Sequence, residues 1–331
     1  TGYESTDGAH WSTVGTATLA GLSSTVQTGL FVASPGDVQV SQSVGGGFQV
    51  HFTQTSAVFD QVSLRGKASG AWRGDAIGGG GHTDWERYHR PAGVEQSGGT
   101  FTVTGSGDIA PVVDGGSGIE RTLIGAFAGL IAVIVVATLF ITAEYRRGLI
   151  RTTLAASPRR GRVLAAKAVV IGSVTFAAGL VATALAVPLG ERILRANGNR
   201  IVPVTALTEL RVMAGTAALL AVAAVLALAV GAVLRRSAAA VAAVIVAIVL
   251  PYVLAVASVL PAGVSAWLLR LTPAAAFAIQ QTLPQYPQVS FAYTPANGYY
   301  PLAPWAGFAV LCGYAALALI LAVVLLRKRD A

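Results

Sequence analysis

The chain has 331 residues, of which 54% are hydrophobic and 11% charged; soluble domains carry about 25% charged residues, so the composition excludes an ordinary soluble globular protein and indicates a membrane protein. The net charge of +8 is divided unevenly: residues 1–120 hold 5 Lys+Arg against 11 Asp+Glu, and residues 121–331 hold 18 against 4. The basic half is the apolar half, so the charge is no sign of a nucleic-acid partner, and the single cysteine, Cys312, permits neither an internal disulfide nor a cysteine metal cluster.

Residues 1–119 are rich in Gly, Ser, Thr and Val and read as an all-β domain of short strands, spaced as in a β-sandwich. TGYES and HWSTVGTATL form a hairpin around Asp7-Gly8, and VQTGLFVAS and GFQVHFTQ follow as strands. In AVFDQVSLRG, alternation places Val58, Asp60, Val62 and Leu64 on one side, and GTFTVTG places Phe101 and Val103 on one face. Gly78-Gly79-Gly80-Gly81 reads as a loop and not as a phosphate cradle, because no Lys-Ser/Thr follows it. HTDWERYHR offers His82, Asp84, Glu86 and His89 as conceivable metal ligands, but a solvated loop beside a strand is the preferred reading. Trp11, Trp72, Trp85 and Tyr88 could stack on sugar, although such aromatics more often face a core.

From Leu123 onward five apolar runs are long enough to cross a bilayer, which takes roughly 20 residues each. They are Leu123–Ala143, Val163–Leu189, Val212–Leu234, Ala238–Leu260 and Ala306–Leu326. Lipid satisfies no free backbone group, so each must be helical. Small residues, as in AGTAALLAVAAVLALAVGA, allow close helix–helix approach, and Pro188 and Pro251 are expected to kink or end their helices. A sixth piece, VSAWLLRLTPAAAFAIQQTL, is interrupted by Arg270 and Pro273 and reads as a re-entrant or interfacial helix pair.

Lys and Arg collect on the cytoplasmic side of membrane proteins. The first connector holds Arg146, Arg147, Arg151, Arg159, Arg160 and Arg162, with Lys167 placed to snorkel; Arg235-Arg236 and the Arg327-Lys328-Arg329 tail add to the same side. That side is expected to be the cytoplasm, and five crossings then put the β-domain outside. Within the connector, EYRRGLIRTTLAA has helix-forming character. Arg147 and Arg151 lie one turn apart, and Tyr145, Leu149 and Thr153 line another side until Ser157-Pro158 stops the helix.

The run ITAEYRRGLIRTTLAASPRRGRVLAAKAVVIG, residues 141–172, resembles the permease subunits of ABC transporters of the type-two exporter class, as found in actinobacteria. The resemblance covers roughly Arg121 to Arg329. It implies that an acidic residue ending a span opens a cytoplasmic coupling helix that docks on an ATPase, and that a Ser/Thr-Pro-Arg-Arg turn follows. Glu144, Tyr145, Arg146, Arg147, Gly148, Arg151, Thr152, Pro158, Arg159 and Arg160 occupy those places here, with Lys167 beyond them. The split helix at Val264–Leu283 matches the family's outer-face arrangement. One departure is the span count: the family has six, and five are visible. The N-terminal part resembles the closing half of a concanavalin A-like (laminin-G-like) sandwich. With no Met at the start and Met213 the only methionine, the expectation is a partial outer domain over residues 1–119, with its opening half and a first span upstream, and a membrane domain over residues 120–331.

The five runs contain no Asp, Glu or His in their interiors, which speaks against an intramembrane protease or a proton-coupled carrier. There is no G-x-x-x-x-G-K-[ST] sequence, so ATP hydrolysis falls to a partner chain, and no catalytic residue, cofactor or metal is assigned. The expected function is the membrane subunit of an ATP-driven exporter, working as a homodimer or heterodimer of permeases in membrane lipid. The rival is a membrane-anchored glycan-binding receptor or adhesion protein, against which five spans weigh as excessive for an anchor. The charge bias makes a topological prediction. In a Cys312→Ser background, a cysteine at position 11 is expected to react with an impermeant thiol reagent in intact cells, and one at position 147 only after lysis. External labelling at 147 would reverse the orientation.

Overall fold

The computed structural model describes residues 1–16, 18, 25–40, 48–64, 70–75, 93–107, 116–146, 160–257, 259–283, 285 and 293–329. The chain divides into two compact units, one of residues 1–34 and 54–106, the other of residues 35–53 and 107–331.

In the first unit, β1 (Gly2–Glu4) pairs antiparallel with β2 (Ser12–Gly15). The expected turn lies between them, with Gly8 at φ +73° and Asp7 Oδ1 accepting the N–H groups of Ala9 and His10. A three-stranded antiparallel sheet runs β5 (Thr55–Phe59), β7 (Thr100–Gly105), β6 (Gly93–Ser97), with Phe59 opposite Phe101 and Val94 opposite Val103. Phe101 is the one large side chain buried in this unit among the described residues, and the Trp72 ring packs 5.0 Å from it.

Two strand expectations differ from the structure. The alternation through Leu64 stops at Phe59, because Gln61 takes a left-handed backbone (φ 49°) that no strand accommodates. VQTGLFVAS forms no strand beyond an isolated bridge at Ser34; its chain passes so close to β7 that a Cβ on Gly105 would lie 2.2 Å from the Val32 carbonyl oxygen. The sheets are small and largely exposed, and among the described residues they do not make a clear sandwich.

In the second unit, β3 (Asp37–Val40) and β4 (Phe48–His51) form an antiparallel ribbon, and β8 (Gly116–Ser117) runs parallel to β9 (Arg200–Ile201). The rest is helical. A 3₁₀ turn, Ile119–Leu123, leads into α1 (Ala126–Arg146), followed by α2 (Arg160–Ala196), α3 (Ala206–Leu234) and α4 (Ser237–Val256). Then come α5 (Ala262–Leu271), a 3₁₀ segment (Pro273–Gln280) and α6 (Pro304–Arg329). Five of these helices, α1 to α4 and α6, are long and apolar enough to cross a membrane. At 1.5 Å per residue the 21 residues of α1 reach about 30 Å, the thickness of a hydrocarbon core.

Local chemistry sets the ends. α2 closes on Gly198 at φ +79°, with Asn199 N–H reaching the Leu194 carbonyl at 2.9 Å. Thr205 caps α3, its hydroxyl accepting the Thr208 N–H. Pro188 and Pro251 do not end their helices, which continue to Ala196 and Val256.

Between α5 and the 3₁₀ segment the chain bends by 99°. Thr272 closes α5 through its N–H and hydroxyl, both donating to the Leu268 carbonyl. Pro273 then holds Thr272 in an extended conformation, φ −96° and ψ 161°, so α5 cannot continue. All eight residues of the 3₁₀ segment are buried, and Phe277 stacks on Tyr252 of α4 at 3.9 Å.

α3 is the central helix, with 61% of its apolar stretch buried against 22–33% for the other four. Its alanines lie at the contacts: Ala223, Ala224, Ala227 and Ala229 are fully buried. Its glycines admit neighbours, Ile279 against Gly215 and Ile141 against Gly231. α6 approaches the 3₁₀ segment at Gly307, where a Cβ would fall 2.2 Å from the Ala275 carbonyl oxygen; at Gly313, on the same helix, a Cβ would meet nothing. Ala is favoured over Gly in a helix by about 1 kcal/mol, whereas overfilling a tight contact costs about 1–3 kcal/mol. Gly313→Ala should therefore raise the Tm of the detergent-purified protein and Gly307→Ala should lower it. Shifts of the same sign would disprove this packing.

Candidate functional site

The coupling residues expected from the sequence begin on the last turn of α1. Glu144, Tyr145 and Arg146 all belong to that helix. Arg147, Gly148, Arg151, Thr152, Pro158 and Arg159 lie outside the described residues, as do His82, Asp84, Trp85, Glu86, Tyr88 and His89. Arg160 is the first residue of α2. The connector is thus framed by the end of α1 and the start of α2, and those two helix ends can be described.

They are joined by an ion pair. Lys167 Nζ on α2 donates to Glu144 Oε1 on α1. The two side chains are only 17% and 21% exposed, so this pair is largely removed from water. The Lys167 ammonium also lies 5.2 Å from the ring centre of Phe140, one turn before Glu144 on the same face. Among the described residues, the buried Glu144 Oε2 has no hydrogen-bond partner. Lys167, expected to snorkel towards the membrane surface, is instead committed to a carboxylate.

Tyr145 points to another neighbour. The Arg235 guanidinium sits 4.9 Å from its ring centre, over the turn between α3 and α4. Arg235 itself takes the left-handed conformation (φ 56°) that ends α3, its N–H bonded to the Gly231 carbonyl at 2.9 Å. Tyr145 also rests on an apolar cluster of Ile141, Leu164, Leu228, Ala232 and Leu326, so four helices meet beneath this end. Arg146 is exposed, at the helix C-terminus where a positive charge is favoured.

The opposite end of the bundle carries a carboxylate that sequence reasoning passed over. Glu120, in the 3₁₀ turn before α1, accepts a hydrogen bond from Thr282 at 2.9 Å and lies against Gly298. Nearby, the Tyr300 N–H donates to Gln281 Oε1 at 3.1 Å. Burial is the main cause that holds the Tyr300 phenol well above its usual range, so it stays neutral. The only sequence signal for Glu120 was its position as the acid directly before the first apolar run.

The family model of ABC-2 family transporter proteins matches residues 19–331. The chain belongs to that family. No curated protein and no solved structure matches it. An ABC-2 family protein of this kind is a multi-pass membrane component of a transporter, and its permeases work with an ABC ATPase. In this ABC-2 protein, Glu144 and Lys167 make the one ion pair found between two spans among the described residues.

Removing one partner of such a pair strands the other. Lys167→Met or Glu144→Gln alone is expected to cost on the order of 3 kcal/mol in unfolding stability. The double variant should recover a large part of the loss, because neither charge is left buried. A double variant as unstable as the sum of the two singles would show that the groups do not interact.

Proposed function

We propose that the chain is the membrane-spanning permease subunit of an ATP-driven exporter, coupled to a separate ATPase through residues 144–156. The supporting observation is the Glu144–Lys167 ion pair, because it ties the two helix ends that flank this connector in a family that works with ABC ATPases. A force applied to a helix formed by residues 144–156 reaches α1 and α2 together instead of prising them apart. The cluster under Tyr145 passes the displacement to α3 and α6.

In this reading Arg147 and Arg151 face carboxylates of the ATPase, and the connector, Arg235-Arg236 and the C-terminal tail lie in the cytoplasm. Gly148 and Thr152 belong to the docking helix, and Pro158, Arg159 and Arg160 form the turn into α2. Residues 1–119 form an outer, concanavalin A-like domain and residues 120–331 the permease domain. The protein pairs with a second copy or a related permease, and the pathway runs between the two. ATP-driven closure of the ATPases pushes the connector and rocks the spans.

The test is charge reversal. Arg151→Glu leaves the connector strongly basic, so orientation survives, but it sets like charge against the partner; breaking a desolvated interfacial pair costs roughly 2–5 kcal/mol. Arg329→Glu, beside Lys328 in the tail, is the control. Co-purification with the cognate ATPase and substrate-stimulated ATP hydrolysis should fall in the first variant and persist in the second. Unimpaired coupling in both would reduce the basic connector to a topology signal.

A further inference from the structure

Where α3 begins, a cleft of about 490 Å³ opens between its first turns, residues 281–285 and residues 300–304. Thr208, Arg211, Gln281, Thr282, Tyr300 and Pro304 line it. Most of its polar groups are engaged with protein. Gln281 accepts from Tyr300 N–H and donates to the Leu283 carbonyl at 2.9 Å; Thr282 donates to Glu120; the Thr208 hydroxyl meets Thr205 at 3.0 Å.

Arg211 is engaged only in part. One Nη2 donates to the Gln281 carbonyl, which fixes the guanidinium against the cleft wall. Among the described residues, its buried Nε has no hydrogen-bond partner and no carboxylate pairs with it. Glu209, two residues earlier, falls about 200° around the helix on the other side. A guanidinium carries five donors in a planar fork suited to phosphate or carboxylate. One that is half-buried and lacks a counter-ion is costly unless an anion meets it.

The rim favours a particular source for that anion. Leu207 and Leu210, which flank Thr208 and Arg211 on α3, are 80% and 56% exposed, and Trp305, after the lining residue Pro304, is 62% exposed. Exposed leucines and a tryptophan at the end of a span mark a lipid-facing interface. We propose that this cleft binds the phosphate of a membrane phospholipid, held by Arg211, with the acyl chains lying over Leu207, Leu210 and Trp305. The inference does not depend on the coupling reading above.

The full chain in detergent is titrated with dioctanoyl phosphatidylglycerol, with dioctanoylglycerol and with inorganic phosphate, and binding is read by native mass spectrometry and thermal shift. Phosphatidylglycerol should bind and stabilise, dioctanoylglycerol should not, and inorganic phosphate should compete only weakly. Arg211→Gln should weaken phosphatidylglycerol binding about tenfold or more, since a hydrogen bond to a charged group is lost. Arg211→Lys, which retains the charge but not the planar fork, should fall in between. Arg270→Gln, an exposed arginine on α5, is the control and should leave affinity unchanged. Dioctanoylglycerol binding as well as the phospholipid, or an equal loss in the Arg270 variant, would overturn the site. Inorganic phosphate binding as tightly as the lipid would overturn the lipid source.

Discussion

Close approach to α3 is the constraint on which the rest of the helical unit depends. Between lipid-soluble helices there is little hydrophobic gain from association, so stability must come from van der Waals contact at short range. Gly215 and Gly231 provide that range for the 3₁₀ segment and for α1, and Gly179 of α2 packs on Ala217. The buried alanines of α3 leave no side chain to hold neighbours off. With α3 in place, α1, α2, α4 and α6 need bury only about a third or less of their apolar stretches.

Charge is confined to the two ends. Glu144 and Lys167 neutralise one another at one end, and Glu120 is held by Thr282 at the other. Between them the buried polar side chains are mostly threonines, and Thr142 returns its hydroxyl proton to the Thr138 carbonyl at 2.8 Å on its own helix. The described residues in the middle of the bundle thus present hydroxyl and amide groups and no buried carboxylate or histidine.

The spans were legible because lipid permits so few solutions. A run of about 20 apolar residues without charge can only be helix. The elbow at Thr272 was legible for an equally local reason, since Pro273 dictates the conformation of the residue before it. Helix ends were less so: α2 runs from Arg160 to Ala196 because GERILRA continues the helix in polar residues that no apolar window counts. The strands suffered most. Alternation through Val58 and Leu64 said nothing of the left-handed Gln61. The candidate site was legible in part. Glu144 was singled out, but its partner lies 23 residues away on another helix, and no periodicity links them. Arg211 and Glu120 owe their surroundings to contacts 70 and 162 residues distant.

The length of α2 has a mechanical consequence. Its 37 residues extend about 55 Å, well beyond the roughly 30 Å of a hydrocarbon core. A rod that overhangs its bearing is a lever. If α2 tilts by about 10° around its midpoint, each tip sweeps about 5 Å while the centre stays in register with α3. Small rotations within the packed bundle thus become displacements the size of a side chain at both membrane faces. They begin at Arg160, beside the connector, and end at Ala196, just before the strand that pairs with Gly116–Ser117.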